Sequence, residues 1–314
     1  MGHSMSSLDI PATSTVTNPS ARGKGRQARL EARWAFLLIS PMLIGFSIFF
    51  LIALGASFVL GFTQWRMIES PVWVGFQNYR EILRDPMFRE SMVNTFAIAI
   101  PHVVLRITIG LGLAIALNSR MRFRTFYRIL FFLPVITMPV AIGTIWKWLY
   151  DPGFGPINSF LGQLGLVQPN WLTDRWWAIV AVVIVLLWSG VGYEMIIFLA
   201  GLQAIPRDYY DAASLDGAGG WQQFRDITLP LLTPTTFFLV VIGIINSLQV
   251  FDLVYVMTRM GEVNNLPTIV YYIYDQGFRS FRMGYAISVA WVLLLVILAF
   301  TLIQFRLQKR WVNY

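Results

Sequence analysis

DAASLDGAGGWQQFRDITLP, residues 211–230, is a polar, glycine-containing segment that separates two strongly apolar runs. The runs cover residues 178–201 and 231–257, and each is long enough to cross a bilayer, which takes about 20 residues of helix. The segment between them is therefore expected to turn the chain beside a membrane surface. Its spacing alone fits either an amphipathic loop resting on lipid headgroups or a loop that contacts a partner.

Two short helices are expected in and before this segment. Pro206 suits the first position of a helix, where its missing amide hydrogen costs no hydrogen bond. Glycines then end that helix, because glycine tolerates turn conformations that other residues avoid. They are Gly217, Gly219 and Gly220. A second short helix is predicted by Trp221, Phe224 and Ile227, which recur every three residues.

The composition is too apolar for an ordinary soluble domain. Of 314 residues, 56% are hydrophobic and 13% are charged. The chain has no cysteine, so no disulfide framework or thiolate metal site is encoded, and two separated histidines do not suggest a metal site. The formal charge of +8 would suit nucleic acid, but arginine and lysine cluster beside apolar runs. Membrane topology explains that charge better, and we expect no nucleic-acid partner.

The apolar runs predict an all-α polytopic membrane protein with six transmembrane helices. Residues 1–33 are Ser/Thr/Pro-rich and then basic, with too little apolar content for a core, so we expect a mobile tail. The membrane domain is expected at residues 34–310 and contains a polar loop at 204–230. The six spans are expected at residues 34–62, 91–118, 126–150, 177–201, 232–257 and 284–308.

Lysine and arginine in short flanks indicate the orientation. Five lie in the tail, four lie in residues 119–128 without an acid, and three lie near the C-terminus. These segments share one side by alternation, so both termini and the polar loop at 204–230 are expected to be cytoplasmic. The opposite loops carry mixed charge.

Polar residues within the spans are candidate site residues, because they are costly in lipid and usually face a cavity or a partner. The fourth span carries Glu194. In the fifth, Asn246, Gln249 and Asp252 recur every three residues and are expected to form one polar stripe of a helix. Amides and aromatic faces suit a sugar, although buried amides also join helices to one another.

Arg106 and His102 lie within the second predicted span. Arg106 is expected to neutralise Glu194 or Asp252 across the bundle, with an anionic sugar such as a uronate as the alternative partner. His102 is expected to be a satisfied polar group.

Catalytic and nucleotide-binding patterns are not apparent. The only Gly-Lys pair, at residues 23–24, lacks the Ser or Thr that would hold Mg²⁺ and lacks a preceding strand. The aspartates of the polar loop lie among glycines with little cover, so we expect no enzymatic role, no catalytic residue and no metal site.

Residues 211–230 also resemble the signature of the permease subunits of bacterial ABC importers. That signature reads Glu-Ala-Ala, three residues, Gly, nine residues, Ile-x-Leu-Pro. Here it is Asp211-Ala212-Ala213, Asp216-Gly217-Ala218, then Phe224, Ile227, Leu229 and Pro230. The Asp-Gly-Ala and Ile-x-Leu-Pro elements are most similar to the carbohydrate importers related to the maltose and glycerol-phosphate permeases. Asp211 carries the same charge as the usual Glu, but its side chain is one methylene shorter.

The resemblance implies one transmembrane subunit of an ATP-driven importer in the bacterial cytoplasmic (inner) membrane. Its cargo would be a sugar or oligosaccharide delivered by an extracytoplasmic substrate-binding protein. The expected partners are a second permease in a heterodimer and two copies of an ABC ATPase, which would bind ATP and Mg²⁺; this chain would hold no cofactor. The loop at 204–230 would be a cytoplasmic coupling loop. Its contact residues would be Asp208, Asp211, Ala212, Ala213, Asp216, Gly217, Ala218 and Phe224.

The resemblance also implies a substrate path on the helices before and after the coupling loop. Some of its residues match family contact positions, and others are polar neighbours. The expected path residues are Gly190, Tyr193, Glu194, Gly243, Asn246, Ser247, Gln249, Val250 and Asp252.

Alternatives remain at this point. An importer of an anionic saccharide, such as a uronate oligosaccharide or glycerol phosphate, would use the same fold. A stand-alone secondary transporter would need coupling-ion carboxylates, for which Glu194 and Asp252 are candidates. A membrane scaffold would pair every span residue internally. Outside the membrane, the aromatic residues of 146–177 form either an interfacial belt or a surface for a binding protein.

Overall fold

The computed structural model describes residues 21–119, 121–259 and 266–311. The chain divides into two units, Met1–Ser57 and Phe58–Tyr314. The first unit is helical where it is described, with α1 at Ala21–Phe46 followed by a π-helical turn at Ser47–Ile52.

The basic segment before the first span is helical from Ala21, and the mobility expected of the tail stays a prediction. Alanine, arginine, glutamine and leucine have high helix propensity, and an apolar helix that has already formed extends into such residues at little cost. Residues 1–20 of the predicted tail lie outside the described part, as does Arg120 of the basic loop.

Helices dominate the remaining described residues. The helices that follow α1 are α2 (Ala53–Leu60), α3 (Gln77–Arg84), α4 (Pro86–Asn118), α5 (Arg124–Phe132), α6 (Pro139–Leu149), α7 (Pro156–Gln163), α8 (Arg175–Ala204), α9 (Arg207–Leu215), α10 (Gly220–Gln223), α11 (Leu229–Leu231), α12 (Thr233–Leu248), α13 (Asp252–Arg259), α14 (Ile269–Tyr274) and α15 (Met283–Trp311). An antiparallel pair of two-residue strands lies between α2 and α3 in the chain, with β1 (Thr63–Gln64) against β2 (Val72–Trp73).

Four helical segments of the described chain are long and apolar enough to cross a bilayer, and there are six if each of two bent pairs is one span. The continuous segments are Arg29–Leu60, Pro86–Asn118, Arg175–Ala204 and Met283–Lys309. One pair joins Arg124–Ile136 to Pro139–Leu149 at 98°, and the other joins Gly220–Leu231 to Thr233–Leu248 at 60°. The predicted all-α, six-span fold is confirmed in this form, with two of the six spans broken.

The fifth span ends earlier than its apolar run. Helix α12 stops at Leu248, Gln249 has φ −102° and ψ 9°, and α13 begins at Asp252. We call residues 249–251 the break. The prediction that Asn246, Gln249 and Asp252 form one stripe of a helix is therefore wrong, because regular spacing does not reveal an interrupted backbone. The freed Val250 carbonyl accepts a hydrogen bond from the Thr268 hydroxyl at 3.5 Å.

Three apolar clusters hold the second unit together. One joins α6, α8 and α13 around Val185 and Met257, another joins α3, α14 and α15 around Ile269 and Val289, and the third joins α4, α8 and α12 around Phe198. Lipid tails are as apolar as these side chains, so close packing rather than escape from water favours the contacts.

Helices α4 and α8 make the most extensive helix–helix contact of the described residues, and glycines set their separation. A Cβ atom on Gly110 of α4 would lie 2.6 Å from Cβ of Glu194 on α8. On the other side of α8, a Cβ on Gly192 would lie 2.1 Å from the Phe131 carbonyl oxygen. Glycine is required at both positions because no Cβ fits at these distances.

The close approach at Gly110 has a matched control on the same helix, since a Cβ on Gly112 would meet nothing within 4 Å. We expect Gly110→Ala to lower the free energy of unfolding in detergent by about 1–3 kcal/mol through overpacking. Gly112→Ala should leave it unchanged or slightly raise it. Denaturant titration measures both, and equal effects of the two variants would contradict the close helix contact.

Candidate functional site

The loop at 204–230 is a helix, a glycine turn and a second helix. Pro206 is extended (φ −60°, ψ 138°) and precedes α9, so it flanks the helix instead of occupying its first position. After α9 ends at Leu215, Gly217 takes φ +83°, a left-handed conformation that favours glycine. Gly219 precedes α10 and Gly220 begins it, so Gly217 alone carries the left-handed turn among the three predicted glycines.

Side-chain hydrogen bonds fix the two halves of the loop to each other. The Gln223 amide donates to the Ser214 hydroxyl (2.9 Å) and to the Ala218 carbonyl (3.2 Å). The Tyr210 and Thr228 hydroxyls are 2.9 Å apart. These contacts cross the glycine turn, so α9 and α10 form one rigid body.

The outer surface of this body combines carboxylates with apolar side chains. Asp208, Asp211 and Asp216 are exposed and have no ion pair or hydrogen bond to their carboxylates among the described residues. Leu215 is 90% exposed and Trp221 is 72% exposed. Of the remaining predicted contact residues, two are exposed and three are half-buried: Ala212 and Gly217, then Ala213, Ala218 and Phe224. An exposed set of this kind suits a protein partner.

The nine predicted path residues separate into two groups. The first group is used in helix contacts. Glu194 is 3% exposed, and its Oε2 atom lies 2.6 Å from Nε of Arg106, which is 14% exposed. The Arg106 guanidinium also donates to the Gly190 carbonyl at 3.4 Å. The prediction that Arg106 neutralises Glu194 agrees with this geometry.

A chain of hydrogen bonds joins α4 to α12 through His102, Ser247 and Gly243. The Ser247 hydroxyl donates to the Gly243 carbonyl at 2.6 Å, and it accepts from Nδ1 of His102 at 2.8 Å. His102 and Ser247 are both buried. Nδ1 of His102 is thus paired, whereas its buried Nε2 has no hydrogen-bond partner among the described residues, so the expectation of a satisfied polar group holds for one ring nitrogen only.

The second group surrounds the break. Asn246, Gln249 and Asp252 are exposed, whereas Val250 is half-buried. Tyr193 of α8 is also half-buried, beside the cluster that contains Phe198. Exposed polar groups at an interrupted helix are the arrangement by which transporters line a cavity.

Sequence reasoning did not assign a site to an aromatic group beside the break. Phe251 of the break and Tyr255 of α13 lie 5.1 Å apart between ring centroids, and Tyr274 lies 5.4 Å from Phe251 and 5.3 Å from Tyr255. Phe278 stacks on Tyr274 at 5.5 Å. Their four-residue spacing within each segment is visible in the sequence, but the contact between the segments is not.

A hydroxyl and carboxylate cluster joins α4 to α14 and α15. Both Tyr272 and Tyr285 donate to Oδ2 of Asp85, the latter at 2.7 Å. Burial alone would raise the pKa of Asp85, but these hydrogen bonds and those from the backbone N–H groups of Met87 and Phe88 lower it. Burial and the bond to Asp85 raise the pKa of Tyr272, which keeps its phenol protonated as a donor.

The outer aromatic residues serve two roles. Tyr150 and Trp171 are buried in the apolar cluster around Val185, and Nε1 of Trp171 donates to Oδ1 of Asn158 at 2.8 Å. Trp148 and Trp176 are exposed. Only the exposed aromatic residues can therefore form an interfacial belt or a surface for a partner protein.

Residues 106–313 match the family described as "Binding-protein-dependent transport system inner membrane component". The chain belongs to this family. It is a multi-pass inner-membrane transport component, and the predicted membership in the ABC-importer permeases is confirmed.

Curated relatives agree over most of the chain. It is 36% identical to the probable ABC transporter permease protein YesP of Bacillus subtilis, over 96% of this chain and 98% of that one. It is 33% identical to the arabinooligosaccharides transport system permease protein AraP of the same species, over 87% of each. It is 30% identical to the sn-glycerol-3-phosphate permease protein UgpA of Pectobacterium atrosepticum, over 89% of this chain and 95% of that one.

Solved structures support the fold. A chain of a bacterial ABC transporter involved in alginate import aligns with a TM-score of 0.79 at 24% identity, covering 92% of this chain and 99% of that one. A structure of bacterial alginate ABC transporter in complex with alginate pentasaccharide-bound periplasmic protein gives 0.80 at 22% identity, covering 90% and 96%.

The Arg106–Glu194 pair predicts strong coupling between its members. Removing one partner leaves an uncompensated buried charge, so we expect Arg106→Met or Glu194→Gln each to lower the free energy of unfolding by about 3–5 kcal/mol. The double variant should cost less than either single change. Denaturant titration of all four proteins measures the cycle, and additive losses would show that the two groups do not interact.

Asp85 predicts a pH dependence. Asn also caps helices, so Asp85→Asn removes the charge and keeps the cap, and we expect a loss of about 1–3 kcal/mol at pH 7. Because the folded pKa is lowered, this stability is present above the ordinary carboxyl pKa of about 4 and is lost as pH falls through the folded value. Thermal unfolding against pH should show the two proteins converging below about pH 4. Glu69→Gln, at an exposed carboxylate, should follow the wild type throughout.

Proposed function

We propose that this chain is the transmembrane subunit of an ATP-driven importer of a sugar or oligosaccharide. An extracytoplasmic binding protein would deliver the cargo. The relatives include permeases named for arabinooligosaccharides, multiple sugars and lactose, and this range supports a saccharide. The observation that carries the transport mechanism is the rigid, exposed loop at 204–230, with its left-handed turn at Gly217.

The assembly would contain a second permease, which makes a heterodimer, and two copies of an ABC ATPase. The ATPase subunits would bind ATP and Mg²⁺, and this chain would bind neither. Exposed carboxylates and apolar side chains on one rigid body support a helix-in-groove contact with the ATPase. Asp208, Asp211 and Asp216 would supply charge, while Leu215 adds apolar area.

The orientation that we propose places both termini and the coupling loop in the cytoplasm. The basic flanks of the first, second and last spans support it. The acidic surface of the loop does not oppose it, because acidic residues contribute little to topology.

Alternating access would follow from the stiffness of the coupling loop. The hydrogen bonds between Gln223 and Ser214 and between Tyr210 and Thr228 prevent the loop from deforming alone. Movement of the docked loop with the ATPase would therefore be transmitted to α8 and α12, which flank it. The 60° bend before α12 supports rocking of this helix as a unit.

The substrate path would run past the exposed polar residues at the break. Asn246 and Gln249 can donate to and accept from sugar hydroxyls, and Asp252 can accept. Four other predicted path residues would support the path indirectly, because their contacts hold α4, α8 and α12 together. They are Gly190, Glu194, Gly243 and Ser247.

The coupling turn provides a matched pair of variants. Gly217 has φ +83°, whereas Gly220 has no left-handed strain and a Cβ there would meet nothing within 4 Å. We expect Gly217→Val to reduce saccharide uptake at least about tenfold, because β-branched residues strongly disfavour this conformation. Gly220→Ala should retain near wild-type uptake. Asp211→Lys should also abolish uptake and reduce recovery of the ATPase with the affinity-purified chain.

Membrane abundance, measured by immunoblot, separates loss of coupling from loss of folding. Normal uptake by Gly217→Val or Asp211→Lys would refute the coupling role. Uptake that follows a proton or Na⁺ gradient instead of ATP would refute the ABC mechanism and favour a secondary transporter.

A further inference from the structure

The aromatic group at the break forms a surface that the proposed mechanism has not yet used. Phe251, Tyr255 and Tyr274 are half-buried, and Phe278 is 56% exposed. We call these four residues the aromatic platform. Tyr271 supports it from behind, with its ring 6.1 Å from that of Tyr255. An exposed phenyl ring that stacks on a tyrosine is a wide apolar face on an otherwise polar part of the chain.

The charge beside this platform is negative. Asp252 follows Phe251 directly, is exposed, and has no ion pair or hydrogen bond to its carboxylate in the described part of the chain. Arg279, the cation next to Phe278, pairs with Asp275 at 3.0 Å. Arg282 pairs with Glu81.

The cation in the interior of the bundle is also neutralised. Arg106 lies near the middle of α4, and its Nε atom is 2.6 Å from the Glu194 carboxylate. Other cations of the described spans lie near helix ends. Among the described residues, the path therefore presents amides, aromatic faces and one unpaired carboxylate.

We propose that the aromatic platform and Asp252 form a subsite for an uncharged sugar ring. The inference rests on the proposed function and specifies its substrate class. Aromatic faces pack against the C–H face of a pyranose or furanose, and the carboxylate accepts hydrogen bonds from its hydroxyls. Asp252 also disfavours an anionic sugar, because two carboxylates a few ångströms apart repel each other even where water partly screens them.

An uncharged cargo would distinguish this chain from those relatives of the same fold that are named for anionic cargoes. Two solved neighbours come from an alginate importer, and two curated relatives are named for sn-glycerol-3-phosphate, so both of those cargoes are anions. A buried Arg106 already held by Glu194 is not available to bind such an anion. The Asp252 carboxylate beside the break is negative, whereas a uronate or a phosphate requires a cation as its partner.

The first test measures the class of cargo with the whole importer in proteoliposomes, supplied with its binding protein and ATP. The uncharged probes are arabinotriose, lactose and maltotriose, and the anionic probe is trigalacturonate. Uptake of an uncharged probe at least about tenfold faster than trigalacturonate is expected from the repulsion. Faster uptake of trigalacturonate would overturn the inference and leave the proposed function intact. ATP-dependent uptake of no saccharide would refute the proposed function itself.

The second test isolates Asp252. The transported sugar is compared with its aldonate, which has the same size and one added carboxylate, at concentrations that saturate the binding protein. Wild type should favour the neutral sugar about tenfold, and Asp252→Asn should reduce that preference to about threefold or less. Glu69→Gln is the matched control, since it removes an exposed carboxylate away from the break. An unchanged preference in Asp252→Asn would overturn the role of the carboxylate.

The third test isolates the platform. Phe278→Ala should raise the half-saturating concentration of liganded binding protein or lower limiting uptake about fivefold through lost stacking. Phe154→Ala is the control, because Phe154 is 87% exposed on another surface segment. The variant should dock binding protein normally in a co-sedimentation assay with unliganded protein. Weakened docking, or uptake equal to that of the control, would overturn the subsite.

Discussion

The contact between α4 and α8 is the constraint on which the rest of this chain depends. Glycines remove the side chains that would hold the two helices apart, and the space admits a buried ion pair between Arg106 and Glu194. In lipid, where apolar side chains gain nothing by leaving water, small residues and paired polar groups are the main sources of helix association. The same pair fixes the register of α8, whose far end leads into the coupling loop.

The loop after α8 and the helix α12 that follows it differ in how continuous they are. The loop after α8 is tied across its turn by Gln223 and Tyr210, whereas the helix after it is bent at its start and broken at its end. In the proposed mechanism, a loop held together in this way would pass its displacement on to the bent helix that follows it. Asn246 near the end of α12 and Gln249 in the break are both exposed, so exposed amides lie beside the interruption of the helix.

The sequence was informative wherever the physics is local or compositional. Apolar length predicted the spans, and Gly217 marked the left-handed turn because few other residues adopt it. Long-range contacts were less accessible: spacing made Asn246, Gln249 and Asp252 look like one stripe, although the backbone stops between them. The aromatic platform was missed for the same reason, since Tyr274 meets Phe251 only after the chain has returned.

The exposed tip of the coupling loop also bears on how such a subunit is handled before it assembles. Leu215 and Trp221 present apolar area to water on a loop whose two helices are joined by hydrogen bonds across the turn. A copy of the subunit without its partners would leave this apolar surface open to chaperones and membrane proteases. Synthesis of the subunit in balance with the proposed ATPase partner would then limit how long this surface stays uncovered.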